Sequence, residues 1–146
     1  MRSIWHMART LILSDKPEDV RKLTESYIQS GNLNFLIGSG ASMPAIKVAG
    51  NIEADINNLL IGGNVADADL MALEFIEELA ETNVDLLADI DDQPITDTLA
   101  NYTDFLSVVD GILFERKNIL LPRQANIITT NYDLFIEKAA SNTNRH

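Results

Sequence analysis

The chain reads as an α/β domain, and three observations predict this. Two short apolar runs, Leu33–Ile37 and Ala125–Ile128, each end in small or polar turn residues. Between them, apolar residues recur at helical spacing, most clearly Ile95, Leu99, Tyr102, Leu106, Val109 and Leu113. A helical crossover of that length between two strands of one sheet implies a parallel pair with a right-handed connection.

The elements follow in order. Lys16–Ser30 is predicted to be a helix: Asp15 can cap it, Glu18 completes a capping-box pattern, and Gly31 stops it. Val20, Leu23, Tyr27 and Ile28 form its expected buried stripe. The strand Leu33–Ile37 comes next, then a turn from Gly38 to Ser42 whose last two residues are expected to open a helix. Ala45–Leu60 is predicted helical, and Gly62-Gly63-Asn64 is a break. A further helix carries Asp67 and Asp69 in its first turn and runs to about Glu81, with Leu70, Leu73, Ile76 and Leu79 or Ala80 facing inward. A separate short helix is expected over Val84–Ile90, and a loop over Asp91–Pro94. The longest helix then ends near Glu115-Arg116-Lys117. Pro122 precedes the second strand, and a last helix begins near Asp133.

At 146 residues the chain has room for one domain. Residues 1–14 read as an extension and 44–118 as a helical insert between the two strands. A doubly wound sheet has about five or six strands, and two alone leave its faces poorly covered. The expectation is therefore an incomplete Rossmann-like parallel sheet, the N-terminal part of a larger domain. The alternative is a compact domain with a mostly helical body. No apolar run approaches the ~18–20 residues that span a bilayer, so no membrane is expected as a partner. There is no cysteine, which excludes a disulfide scaffold and a cysteine zinc site within this chain and fits a reducing cytoplasm. A net charge of −11 argues against direct nucleic-acid binding, which rests on Lys and Arg at phosphates. An anionic ligand would instead be held by backbone N–H groups and helix ends.

Two motifs carry the candidate chemistry, and both should emerge at the same edge of the sheet, outside the carboxyl ends of the strands. The first is Gly38-Ser39-Gly40-Ala41-Ser42. Its glycines can take positive φ and permit close ligand approach, and the Ser42 hydroxyl could donate to a phosphate. An ordinary dehydrogenase fingerprint would place a third glycine where Met43 stands, so a standard dehydrogenase is disfavoured. Glu53 and Asp55 are candidate ribose-binding acids, and Lys47 is the nearest base. The second motif is Thr129-Thr130-Asn131-Tyr132-Asp133. Each residue has a plain structural explanation: Asn131 as a helix N-cap, Asp133 as a first-turn acid, and the threonines as a strand end. Their combination with the first motif raises the functional reading.

Phe35-Leu36-Ile37-Gly38-Ser39-Gly40-Ala41-Ser42 resembles the first NAD-binding motif of sirtuins and sirtuin-like proteins, and Thr129-Thr130-Asn131-Tyr132-Asp133 is similar to their second. The variant with Tyr132 followed by Leu134-Phe135-Ile136-Glu137 resembles the prokaryotic branch found in antiphage defence, whose members typically hydrolyse NAD to nicotinamide and ADP-ribose. The resemblance implies that Gly38, Ser39, Gly40, Ala41 and Ser42, with Thr129 and Thr130, hold NAD. It places Asn131 at the nicotinamide ribose and Asp133 on the nicotinamide side, both in catalytic roles. It also implies partners of the family's kind: a homo-oligomer, or a defence protein such as an ATPase or an Argonaute-like protein. The family's catalytic histidine has no counterpart, because the two histidines are His6 and His146. The zinc cysteines of deacylating sirtuins are missing too, so no metal and no deacylation are expected. The chain alone is expected to be inactive. A non-catalytic nucleotide-binding or protein-interaction module is the alternative.

Overall fold

A computed structural model describes residues 17–117 and 121–143. Lys16, the Asp15 cap, Trp5, His6 and His146 lie outside the described residues. The order is α1 (Pro17–Ser30), β1 (Leu33–Ile37), a 3-10 turn (Ser39–Ser42), α2 (Ala49–Ile61), α3 (Val65–Leu87), α4 (Gln93–Phe114), β2 (Ala125–Thr129) and α5 (Phe135–Thr143). The protein is mostly helical around a two-stranded parallel sheet in which Leu33 pairs with Ala125 and Ile37 with Thr129. That sheet, with helices between its strands, is the α/β pattern the sequence predicts.

Both strands alternate between half-buried and exposed residues, so one sheet face is covered and the other is not. On the covered face, Phe35 meets Phe105 of α4 edge to face at 5.2 Å. On the open face, Leu36 is 74% and its register partner Ile128 56% exposed. Parallel strands are normally covered on both faces. The core lies where α3, α4 and α5 converge, around Leu86, Ile95, Tyr102, Phe135 and Ala139, with Ile46 reaching in from the segment before α2.

Several local expectations change. After the 3-10 turn the chain does not enter a helix directly, because Met43–Val48 are irregular and α2 begins only at Ala49. The two helices expected around residue 82 are one, α3, the longest among the described residues. Thr82 returns its hydroxyl to the Glu78 carbonyl at 2.8 Å, and the Asn83 side chain reaches out of the helix, so neither weak helix former interrupts it. Gln93 and Pro94 belong to α4. Asp92 caps that helix by accepting from the Ile95 amide at 3.1 Å, and proline in a first turn sacrifices no helical donor. Leu70, Leu73 and Ile76, expected inward, are each more than half exposed; Ala68, Phe75, Leu79, Thr82 and Leu86 form the inner face instead. On α1, Tyr27 faces solvent and no residue is fully buried.

One side chain ties the two strand-entry loops together. Arg116 is 3% exposed and donates to three carbonyls: Ile28 at 3.1 Å, Gly31 at 2.6 Å and Pro122 at 3.1 Å. The guanidinium fork therefore caps the C-terminal carbonyls of α1 and anchors the approach to β2.

Candidate functional site

The two motifs meet at the carboxyl ends of the strands. The ladder extends one bond past the sheet, with the Thr130 amide donating to the Ile37 carbonyl at 3.1 Å. This places the Gly38–Ser42 turn beside the Asn131–Asp133 loop, although the motifs are about ninety residues apart. The Thr129 hydroxyl accepts from the Asn131 amide at 3.0 Å and fixes the turn out of β2.

A four-residue network locks the junction. The Ser42 hydroxyl donates to Asp133 Oδ2 at 2.6 Å. With its proton committed to the carboxylate, Ser42 Oγ accepts from Asn131 Nδ2 at 3.0 Å and from the Tyr102 hydroxyl, also at 3.0 Å. Asn131 Nδ2 spends its second proton on the Gly38 carbonyl at 3.2 Å. That carbonyl can only accept, which sets the orientation of the Asn131 amide, and its Oδ1 is left buried without a partner among the described residues. Asp133 also accepts from the Phe135 amide at 3.3 Å, at the start of α5. Burial above all pushes the Tyr102 hydroxyl above its usual pKa, and the Asp133 charge adds to the rise. Tyr102 is thus a protonated donor, held parallel to the Phe135 ring with centroids 5.8 Å apart.

Over this network lies a groove of about 310 Å³, at the low end for small-molecule sites. Ser39, Thr130, Asn131 and Asp133 line it from the two motifs; Ile46, Phe75 and Leu79 form an apolar wall, and Lys47 and Glu53 stand at the rim. Lys47, the one cation among the described lining residues, pairs with Glu78 at 2.7 Å and is largely exposed, so the groove has no strong positive field. Ala49 and Gly50, the first residues of α2, also border it, and that helix carries no side-chain cap. The Asn51 N–H is taken by the Val48 carbonyl at 3.2 Å, which leaves the Ala49 and Gly50 N–H groups without a partner among the described residues and open to an anion. Larger clefts of about 720 and 750 Å³ lie elsewhere, along α4, β2 and α5 and between the ends of α1 and α4, but they contain no motif loop.

Each predicted residue has a definite place. Gly38 is extended at φ −111°, and neither it nor Gly40 has positive φ, contrary to the conformational role the sequence suggests. An added Cβ at either would meet nothing within 4 Å. The fold itself does not require glycine there, and the space beside both is open, although neither glycine lines the groove. Ser42 is 1% exposed and turned inward, so it is a joint of the network rather than a phosphate donor. Ala41 borders a smaller cavity on the Tyr102 side. Asp133, 7% exposed, holds Ser42 and the α5 N-terminus, and Asn131 lies four residues before α5 rather than capping it. Of the candidate ribose acids, Glu53 borders the groove and Asp55 does not.

Two contributors escape sequence reasoning. Tyr102 reads as core, and its only signal is a tyrosine where phenylalanine would fill the space. Asn83 clamps the second motif from α3: its Nδ2 donates to the Tyr132 carbonyl at 3.3 Å and its Oδ1 accepts from the Leu134 amide at 3.0 Å. A polar residue in mid-helix carries no sequence signal for that role. Among the described residues no group of three or more potential metal ligands clusters, and no helix is long and apolar enough to cross a membrane. No family model, curated protein or solved structure matches the chain.

Proposed function

We propose that the groove is the NAD-holding part of a sirtuin-like NAD hydrolase acting in antiphage defence, with NAD or ADP-ribose as its ligand. The observation that carries this reading is the joining of the two resembling motifs, through Ser42, Asn131 and Asp133, under one groove at the carboxyl ends of parallel strands.

Three further features support a dinucleotide. The open space at Gly38 and Gly40 lets a diphosphate approach the backbone. The uncapped start of α2 offers N–H groups to its charge, as a protein of net charge −11 requires. Asn131 Oδ1 has no partner among the described residues, and a ribose hydroxyl is a donor of the kind it lacks. In this reading Asn131 orients the ribose while Ser42 and Asp133 hold Asn131. Cleaving the nicotinamide bond develops oxocarbenium character on that ribose, which a fixed amide can orient and stabilise. Hydrolysis also needs a group that activates water. The Asp133 carboxylate is committed to Ser42 and Phe135, and no histidine lines the groove among the described residues. The chain alone is therefore expected to bind without turnover.

Calorimetric titration of NAD and ADP-ribose into the chain tests this, with Gly40→Val as control. The valine Cβ enters open space, so the variant is expected to fold, which circular dichroism checks. Saturable binding lost in Gly40→Val is the expected result. Absence of binding by the folded wild-type chain would sink the proposal.

A further inference from the structure

The helix that walls the groove has a second apolar face, directed away from it. Leu70, Leu73, Ile76, Val84 and Leu87 of α3 are each more than half exposed, and Ala80 between them is exposed as well. Their intervals of three and four residues, spanned from 76 to 84 through Ala80, set them on one side of the helix. From Leu70 to Leu87 the stripe runs about 25 Å, at 1.5 Å per residue. A helix apolar on both sides is ordinarily covered on both, and a contiguous patch of this kind marks an interaction face.

Charge identifies what covers it. From Val48 to Glu115 the chain has sixteen Asp and Glu and no Lys or Arg. Lys47 and Lys138, from outside that stretch, pair with Glu78 and Asp89. Asp69, Glu74, Glu77 and Glu81, which interrupt or flank the stripe, make no ion pair among the described residues. A second copy docking by two-fold symmetry would set this acidic border against itself, and like charges across an interface are costly. We infer that the exposed face of α3 is a docking surface for an amphipathic helix of another protein, one with an apolar stripe bordered by Lys and Arg. The opposite charges give specificity and speed encounter, and the apolar seam supplies the affinity.

The test uses the 146-residue chain and a fluorescein-labelled helical peptide of about 18 residues, long enough to cover the stripe. Its leucines recur at helical spacing and lysines border them; a second peptide carries glutamates in place of the lysines. The lysine peptide is expected to bind saturably in fluorescence anisotropy, and more weakly at 0.5 M salt. The double variant Leu73→Glu, Ile76→Glu, with helix content checked by circular dichroism, is expected to lose about tenfold or more in affinity. Glu77→Lys with Glu81→Lys should weaken the lysine peptide and strengthen the glutamate one. Equal binding of both peptides, or binding unaffected by Leu73→Glu with Ile76→Glu in a folded chain, would overturn the inference. So would a wild-type dimer in light scattering that those two substitutions dissolve, because a second copy would then be the occupant.

Discussion

Ser42→Ala separates the structure from the simplest reading of the motif. As a surface hydroxyl waiting for a phosphate, Ser42 would be dispensable for folding, and its removal would cost no more than about 0.5 kcal/mol. In the structure it is 1% exposed and makes three hydrogen bonds. Its bond to the Asp133 carboxylate at 2.6 Å is charge-assisted and contributes about 1.5–3 kcal/mol. Asn131 Nδ2 keeps Gly38 as a partner, and Tyr102 keeps a longer 3.4 Å contact with Asn131, so those two losses are partial. Among the described residues Asp133 then keeps only the Phe135 amide, on a side chain that remains buried. The expected cost is about 3 kcal/mol, dominated by the half-satisfied carboxylate. Urea unfolding followed by circular dichroism measures it, with Ser39→Ala as the control. Ser39 is the neighbouring hydroxyl and makes no hydrogen bond among the described residues, so its change should stay within about 0.5 kcal/mol. Equal effects of the two substitutions would refute the network as the structural link between the motifs. A double-mutant cycle with Tyr102→Phe adds a second check, because residues of one network do not add.

Three further predictions rest on single side chains. Arg116→Met should destabilise by about 1–3 kcal/mol by removing three hydrogen bonds to partly exposed carbonyls, and Arg116→Lys should recover little, since an ammonium cannot reproduce the fork; chemical denaturation of both variants decides this. For Tyr102, the folded-state pKa lies above the unfolded value of about 10, so its stabilising contribution is complete below that pH and is lost as pH rises toward the folded value. Tyr102→Phe should flatten that alkaline decline in thermal stability, and an unchanged slope would contradict the assignment. Asn83→Ala should speed hydrogen exchange at the Leu134 amide with little change in α3. Asn83→Asp, which can still accept from that amide, should restore part of the protection.

The sequence carried the elements well and their facing poorly. Both strands, their parallel pairing and the meeting of the two motifs follow from local signals: apolar runs, turn residues and a long crossover. Apolar spacing placed α4 correctly, because the large apolar residues exposed on its other side, Val108 and Phe114, are too few to make a second stripe. On α3 it failed. Leu70, Leu73 and Ile76 repeat as regularly as Ala68, Phe75, Leu79, Thr82 and Leu86, so periodicity alone cannot say which set points inward. The decision is tertiary: α2 packs along one side, and Thr82 and Leu86 face the core below α4 and α5. The site was legible to the same degree. Both motifs could be named, but the inward turn of Ser42 and Asp133 depends on Tyr102, which only the packing of α4 supplies.

That dependence bears on how the site is built. The motifs come together because a hydroxyl from the first, an amide and a carboxylate from the second and a phenol from α4 satisfy one another, while Asn83 of α3 holds the loop from the other side. The helices between the strands are therefore part of the site's frame. A ligand that engages only the assembled groove stabilises the whole chain by mass action, by about 2.7 kcal/mol at a hundredfold excess over its Kd. Ser42→Ala, by loosening the frame, should lower ligand affinity and folding stability together. Gly40→Val, which alters only the open cradle, should lower affinity alone. Observing the two losses apart in this way would locate binding in the groove itself. A parallel loss of stability in Gly40→Val would mean that the glycine serves the fold, and the case for a ligand there would fall with it.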